Sequence, residues 1–296
     1  MNRALSIIGA PSSAGAYAPG QEKSPDAFRR HGLIQTLIQA GHQIHDRGDV
    51  PGFRWRPDAA HPKTMNLEIV TRVAAAVADQ VVAAMYAGEV VLVLGGDCTI
   101  ELGTVAGALR DEASVALVYI DFDTDLNPPE ASDGALDWTG VAHLLGLPGT
   151  AKELSGLGPR QPMLGPADIL FFGVNNITSN EAETIRELGI KTIALSEVKV
   201  DPVAAANRAV AWSSRYKRLL VHLDVDVLSY TSFPIAENVR RCEVLTLDEV
   251  SAALSPLLAA PNWRALTLTE VNPDHAPDES GSFLDLIAML TRVFSA

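Results

Sequence analysis

The chain has 296 residues, of which 47% are hydrophobic and 20% are charged, and its formal net charge is −13 at pH 7. This composition is typical of a globular protein, and the acidic balance argues against a nucleic acid or an anionic membrane as a partner, because both need basic patches. The 2 cysteines are too few for a disulfide framework, so we expect a reducing, cytoplasmic location. The apolar run near the N-terminus is shorter than a signal-peptide core, and we expect no membrane span.

Strand-like and helix-like segments alternate along the whole chain. Predicted strands cover 5–8, 43–50, 90–94, 115–120, 169–174, 192–195, 219–227 and 266–271. Predicted helices cover 24–41, 65–87, 99–109, 139–145, 181–188, 202–213, 246–258 and 282–294. This alternation predicts an α/β fold with a parallel sheet covered on both faces. No linker or shift in composition divides the chain, so we predict a single domain over residues 1–296.

Acidic or polar residues follow four of the predicted strands at the point where each strand ends. These residues are Asp97-Cys98, the alternating Asp121, Asp123 and Asp125, the pair Asp224 and Asp226, and Glu270. Like charges packed this closely are costly unless a cation neutralises them, and hard divalent cations held by oxygen ligands are the usual solution. Ligands of parallel α/β sheets bind outside the carboxyl ends of the strands. The sequence therefore predicts a metal site at this edge of the sheet.

Four sequence blocks resemble the signature blocks of the arginase/agmatinase (ureohydrolase) family in order and spacing. They are GGDCT at 95–99, DFDTD at 121–125, LDVD at 223–226 and EVNP at 270–273. The N-terminal IGAPSSAG resembles the first block of that family, and the match covers essentially the whole chain. The resemblance implies a three-layer α/β/α fold with an eight-stranded parallel sheet and a site for two divalent metal ions.

The resemblance also implies the chemistry and the ligands. Two manganese ions would share a bridging hydroxide that attacks the carbon of a guanidinium group. By position, Cys98, Asp121, Asp125 and Asp224 would hold one ion, and Asp121, Asp123, Asp224 and Asp226 the other. Glu270 corresponds to the carboxylate that pairs with the substrate guanidinium. Catalytic roles would fall to Asp125, Asp137 and Glu270.

Both imidazole ligands of the family are replaced in this chain, by Cys98 and by Asp123. Aspartate can serve a hard ion such as manganese, whereas a thiolate favours softer metals such as zinc or iron, and nickel is a further alternative. A neutral thiol is a poor ligand, so one or both positions could be empty. The alternative interpretation of Cys98 is a small buried residue beside the sheet end.

The loop GALDW at 134–138 aligns with the family segment that carries a proton-shuttling histidine. Asp137 takes that place, and it could still exchange protons if its surroundings raise its pKa. With a shift of one residue Trp138 would stand there instead, or it could simply wall the pocket. His143 is a further alternative for the shuttle.

Substrate recognition is less clearly specified. Asn127 matches an arginase residue that binds the α-carboxylate of the substrate, and Thr178 stands roughly where arginases carry an acid for the α-amino group. We interpret His222 and Cys242 as core or structural residues in preference to ligands, and His275 as a residue near the pocket mouth. The segment 242–246 departs from the family pattern, and loops of this kind decide specificity on a shared scaffold.

The leading hypothesis is a metal-dependent hydrolase of a C–N bond in a small guanidino or amidino compound, such as an arginine derivative. One alternative is a non-catalytic or metal-poor protein of the arginase fold that acts in binding or assembly. Another is an altered reaction on a modified arginine in secondary metabolism. The resemblance implies a homo-oligomer, either a trimer or a hexamer.

Overall fold

The computed structural model describes residues 3–242 and 244–295. Met1, Asn2, Glu243 and Ala296, which belong to the predicted domain, lie outside the described residues. The strands are β1 (Leu5–Gly9), β2 (Ile44–Asp49), β3 (Val90–Leu94), β4 (Val115–Ile120), β5 (Ile169–Phe172), β6 (Lys191–Ile193), β7 (Arg218–Asp224) and β8 (Trp263–Thr269). They form one 8-stranded sheet in the order β2-β1-β3-β8-β7-β4-β5-β6, and every neighbouring pair is parallel.

Helices cover both faces of this sheet, because a parallel strand is apolar on both sides. The helices are α1 (Ser24–Arg30), α2 (Leu33–Gln39), α3 (Leu67–Tyr86), α4 (Ile100–Ala108), α5 (Gly140–Leu144), α6 (Lys152–Ser155), α7 (Ser179–Leu188), α8 (Leu195–Val200), α9 (Pro202–Ser213), α10 (Leu247–Ala259) and α11 (Glu279–Phe294). One core cluster joins the sheet to α1, α2, α8, α9, α10 and α11, and a second joins it to α3, α4, α5 and α6. The predicted α/β/α architecture and eight-stranded parallel sheet are confirmed.

Most differences from the predicted elements lie at element ends. The helix predicted over 24–41 is two helices, because Gly32 adopts a left-handed φ of 87° between α1 and α2. The strand predicted over 219–227 ends at Asp224 and continues as a single 3-10 turn, Val225–Val227. The short helices α6 and α8 were not predicted, since neither is long enough to show a clear apolar period.

Helix α3 is the exception to the expectation that no segment has the length and hydropathy of a membrane span. An 18-residue stretch of this 20-residue helix has a mean hydropathy of 1.4, which by length and composition alone is enough for a membrane span. In this fold the helix packs against the sheet and α4, and it buries Val70, Val73, Val77 and Val81. A helix buried in a protein core can have the same length and hydropathy as a membrane span, so these two properties alone do not indicate one.

The four strands that carry the acidic ends, β3, β8, β7 and β4, are adjacent in the middle of the sheet. Their register brings the ends level, because Ile120 pairs with Leu223 and Asp224 pairs with Thr269. Gly96 makes a further close approach possible, since a Cβ at this position would lie 1.7 Å from the carbonyl oxygen of Ser12. Only glycine fits here, so the segment after β3 can cross the segment after β1 beside the strand ends.

Candidate functional site

A cavity of about 360 Å³ opens at the carboxyl ends of these four strands. Its walls come from the strand ends and from the loops that follow them. The lining residues are Tyr17, Cys98, Asp121, Asp123, Asp125, Asp133, Asp137, Trp138, Asp224, Asp226, Glu237, Asn238, Arg240 and Glu270. All six predicted metal ligands, Asp137, Trp138 and Glu270 therefore line one cavity, as the convergence of strand ends predicts. Among the described residues, Asp125 is the predicted ligand that joins neither of the two groups close enough to share an ion.

The carboxylates of this cavity are in an unfavourable electrostatic environment. Burial, followed by repulsion from Asp224 and Asp125, raises the pKa of Asp121 well above its usual range. Burial and repulsion from Asp226 and Glu270 do the same to the pKa of Asp224. Burial and the charge of Asp123 raise the pKa of Asp226 to about 7. Such a set of buried acids is ionised together only when cations lie among them.

One cluster of potential metal ligands consists of Cys98, Asp121, His222 and Asp224, whose ligand atoms all lie within 4.8 Å of one another. The Cys98 thiol donates to Oδ2 of Asp224 at 3.0 Å, and its sulfur lies 3.5 Å from Nε2 of His222. Burial and the neighbouring carboxylates raise the pKa of this thiol well above its usual range. Oδ2 of Asp121 is buried and accepts no hydrogen bond in the described part of the chain. We call these four residues the thiol–imidazole cluster.

A second cluster consists of Asp121, Asp123 and Asp226, again with ligand atoms within 4.8 Å of one another. Arg240 lies beside it, with Nη1 at 3.1 Å from Oδ1 and 3.0 Å from Oδ2 of Asp123. Asn238 donates to Oδ2 of Asp226 at 3.1 Å. We call these three acids the all-carboxylate cluster. Oxygen ligands suit a hard cation, and Arg240 already supplies one positive charge to Asp123.

Asp125 and Glu270 share an unusual backbone conformation. Their φ angles are 51° and 61°, in the left-handed region that non-glycine residues rarely adopt. Oδ2 of Asp125 accepts a hydrogen bond from the hydroxyl of the buried Tyr119, which holds this carboxylate at the cavity wall. Local strain of this kind is typical of functional sites, where the surrounding structure imposes it.

Two donors orient the Glu270 carboxylate. The backbone N–H of Cys98 donates to Oε1 at 2.9 Å, and Nε2 of Gln21 donates to Oε2 at 3.0 Å. Each oxygen retains a lone pair, because a carboxylate can accept about four hydrogen bonds. Burial and repulsion from Asp97 raise the pKa of Glu270 well above its usual range, so a cationic partner would stabilise its charged form.

The three predicted candidates for the proton shuttle differ in their surroundings. Asp137 is buried in the cavity wall, and burial together with repulsion from Glu270 raises the pKa of its carboxyl well above the usual range. Trp138 is 40% exposed and lies at the cavity wall. His143 has Nδ1 at 2.8 Å from the carbonyl oxygen of Thr139, and its Nε2 accepts from the N–H of Ala151 at 3.1 Å. His143 is therefore engaged with the backbone and does not line the cavity.

The two predicted contacts for the amino-acid end of the substrate both bind Glu181. Asn127 donates to Oε1 of Glu181 at 2.9 Å, and Thr178 donates to Oε2 at 2.8 Å while capping α7. Neither residue lines the cavity described above. Their role in substrate binding stays a prediction.

Several cavity residues were missed by the sequence interpretation, namely Tyr17, Asp133, Glu237, Asn238 and Arg240. They come from loops whose paths depend on tertiary contacts, and no local pattern marks them. His222 was interpreted as a core residue; it is fully buried, yet it lies within the thiol–imidazole cluster. Its position two residues before Asp224, on the same face of β7, was the signal available for it.

The sequence profile of the family described as "Arginase family" matches residues 3–291. The chain belongs to the arginase family. It is 28% identical to the hepatic arginase of Aquarana catesbeiana over 298 residues, which cover 99% of this chain and 92% of that one. It is 31% identical to the arginase of Bacillus caldovelox over 278 residues, which cover 91% of each chain. The resemblance of the sequence blocks is thereby confirmed.

Solved structures share the fold of this chain. The Bacillus caldovelox arginase superposes with a TM-score of 0.87 at 26% identity, covering 99% of this chain and 98% of that one. The proclavaminate amidino hydrolase of Streptomyces clavuligerus superposes with a TM-score of 0.74 at 18% identity, covering 99% and 92% of the two chains, which shows a shared fold alone.

The residues of this arginase-family chain fit divalent cations. The buried Oδ2 of Asp121 has no hydrogen-bond partner among the described residues, and Asp121 belongs to both clusters. The thiol–imidazole cluster combines sulfur, nitrogen and oxygen donors, which suits a borderline metal, whereas the all-carboxylate cluster suits a hard ion such as manganese.

Proposed function

We propose that this arginase-family protein is a metal-dependent hydrolase that cleaves a C–N bond in a guanidino or amidino compound, such as an arginine derivative. The observation that carries the proposal is the single cavity in which the oriented carboxylate of Glu270 lies with both acidic clusters. Such a cavity provides for metal cations on one side and for a planar organic cation on the other. Membership of the arginase family supports the same reaction class.

Different residues of this chain would have different roles in the hydrolysis. Bound metal ions would supply Lewis-acid activation of water at neutral pH. Glu270 would accept N–H groups of the guanidinium through the lone pairs that Cys98 and Gln21 leave free. Water adds its oxygen to the guanidinium carbon, the C–N bond breaks, and a proton passes to the leaving amine nitrogen. Asp137, whose raised pKa favours the protonated form, would hold and deliver that proton.

The proposal is tested by metal analysis after mild purification, together with urea release over a panel of guanidino compounds. The assays include added manganese, iron, cobalt, nickel or zinc. We expect bound metal, and turnover with at least one compound. Absence of both with every metal would overturn the proposal. Glu270→Gln should abolish turnover while retaining metal, and Glu197→Gln, on the surface beside Arg208, is the matched control that should change neither.

A second candidate function is a non-catalytic protein of the arginase fold, and Arg240 is the observation that favours it. Its guanidinium binds Asp123, and so places an organic cation beside the all-carboxylate cluster. The discriminating protein carries Cys98→His, Asp123→His and Asp137→His. Metal binding and urea release that appear only in this variant would establish the non-catalytic alternative and overturn the hydrolase.

We also propose manganese for the all-carboxylate cluster, a homo-oligomer, and a reducing, cytoplasmic compartment. Oxygen ligands support the first of these, and the free cysteines Cys98 and Cys242 support the last. Metal analysis, light scattering and fractionation of cells test them one by one.

A further inference from the structure

The buried carboxylate of Glu101 lies beside the imidazole of His222, which belongs to the thiol–imidazole cluster. Glu101, on α4, is 2% exposed, and its Oε2 lies 3.5 Å from Nδ1 of His222. Among the described residues, neither carboxylate oxygen of Glu101 nor Nδ1 of His222 has a partner at hydrogen-bond geometry. A histidine that serves only the core normally has its nitrogens satisfied, so this environment calls for another explanation.

The opposite nitrogen of the same ring faces the cluster. Nε2 of His222 lies 3.5 Å from the sulfur of Cys98 and 3.9 Å from Oδ2 of Asp121. The ring is stacked on Tyr119, with 4.1 Å between centroids and 4° between planes, so its orientation is fixed by packing. The hydroxyl oxygen of Thr269 also lies 3.4 Å from Nε2 of His222. Both contacts of Nε2, with Cys98 and Thr269, are long for hydrogen bonds, so this nitrogen has no short partner among the described residues.

We propose that His222 is a direct metal ligand through Nε2, in a site completed by Cys98, Asp121 and Asp224. Glu101 is a positioning residue: its carboxylate accepts a hydrogen bond from Nδ1–H of His222, so that Nε2 faces the ion. A ligating histidine usually donates its second ring N–H to a carboxylate, and the row from Glu101 through His222 has this arrangement. The inference deepens the proposed function and rests on it, because it names the imidazole of a site that family membership implies.

The donor set also implies a metal preference. Sulfur and imidazole nitrogen favour zinc, iron or cobalt over manganese, which prefers oxygen. The imidazole missing from position 98 would thus be supplied by β7, two strands from β3 across β8, and the thiol at 98 would change the identity of the ion. We expect the thiol–imidazole cluster to bind Zn²⁺ or Co²⁺ more tightly than Mn²⁺.

The test uses Co²⁺ and Zn²⁺ alone, added to the full chain after removal of metal. In wild type we expect a sulfur-to-cobalt charge-transfer band and one tight zinc site, measured by competition with a chelator. Glu101→Gln should weaken zinc binding by about 10–100-fold, the range for loss of a residue that orients a ligand. His222→Gln should weaken it at least as much and shift the cobalt spectrum. His61→Gln, at an exposed histidine paired with Asp58, is the control and should match wild type.

Because His222 is fully buried, its variant could fail to fold, and a measurement on wild type removes that dependence. X-ray absorption of the zinc-loaded protein should show one sulfur and one imidazole in the metal shell. Absence of imidazole scattering, or unchanged zinc affinity in both variants, would overturn the inference. Guanidino hydrolysis without an imidazole ligand would overturn the inference alone. An imidazole ligand without hydrolysis of any guanidino compound would overturn the proposed function alone.

Discussion

The guanidinium of Arg240 lies 3.0 Å from Oδ2 of Asp123, in a cavity where the other charged lining residues among those described are all carboxylates. The same guanidinium stands over the ring of Phe122, 5.6 Å from its centroid, so packing as well as charge holds it. A positive side chain at this point competes with a metal ion for the carboxylate of Asp123. We therefore expect Arg240 to limit metal binding at the all-carboxylate cluster.

Replacing Arg240 by methionine should strengthen metal binding at that cluster. Removal of the nearby positive charge frees Asp123, and we expect affinity for Mn²⁺ to rise about tenfold, or ~1.4 kcal/mol. Isothermal titration with Mn²⁺ measures this change. Arg186→Met, at an exposed arginine paired with Glu183, is the control. An unchanged affinity in Arg240→Met would show that the ion pair does not compete with the metal.

Asp137→Asn should lower kcat by about 10²–10⁴-fold while leaving metal content unchanged, because an amide cannot exchange the proton that the leaving amine needs. Steady-state kinetics at saturating substrate, with metal analysis of the same sample, measure both quantities. Asp133→Asn is the matched control, since Asp133 lines the same cavity but is exposed. Full activity in Asp137→Asn would exclude Asp137 as the proton carrier.

Gly96→Ala should destabilise the protein by about 1–3 kcal/mol, the usual cost of overpacking. The added Cβ would lie 1.7 Å from the carbonyl oxygen of Ser12, so the segment that presents Cys98 must move. Urea denaturation measures the loss, and zinc affinity should fall in the same variant. Gly165→Ala is the control, because its Cβ would meet nothing closer than 3.5 Å. Equal stability of the two variants would contradict the close approach.

Glu89, at the opposite end of the sheet from the cavity, should make stability depend on pH. Burial opposes its charge, but bonds from Ser6, Arg47 and His45 prevail and lower its pKa from 4.5 to about 2. A carboxylate with a lowered pKa in the folded state stabilises fully above the unfolded pKa, and this contribution is lost as pH falls through the folded value.

Glu89→Gln should therefore be less stable than wild type by about 1–3 kcal/mol at neutral pH, the range for bonds to a charged group. The difference should shrink between pH 4.5 and about 2. Urea unfolding across this range measures it. A difference that persists unchanged at the lowest pH would show that the ionised carboxylate is not responsible.

The part of the site that depends on strand ends could be predicted from the sequence. Asp121, Asp224 and Glu270 could be placed together because parallel strands end at one edge, and apolar runs mark where strands end. Their adjacency in the strand order β3-β8-β7-β4 could not be derived from spacing alone, since register and order arise from packing between distant segments.

Arg240 and His222 illustrate why part of the site escaped prediction. Arg240 lies in a loop, and which acid a loop cation meets depends on the path of the whole segment. His222 is inside a strand, where an apolar environment is the ordinary expectation for a buried ring. Its proximity to Cys98 depends on β7 lying one strand away from β3, across β8.

The placement of the metal ligands and Glu270 at the ends of four central strands has a consequence for how such a protein can change over generations. Each of these strands is paired with another strand on both sides, which restrains the backbone that leads into the site. A single codon change at a strand end alters the chemistry of a donor without altering the course of the chain. Substitution of a ligand can therefore change the metal ion that the site prefers, while the backbone that positions the substrate is unchanged.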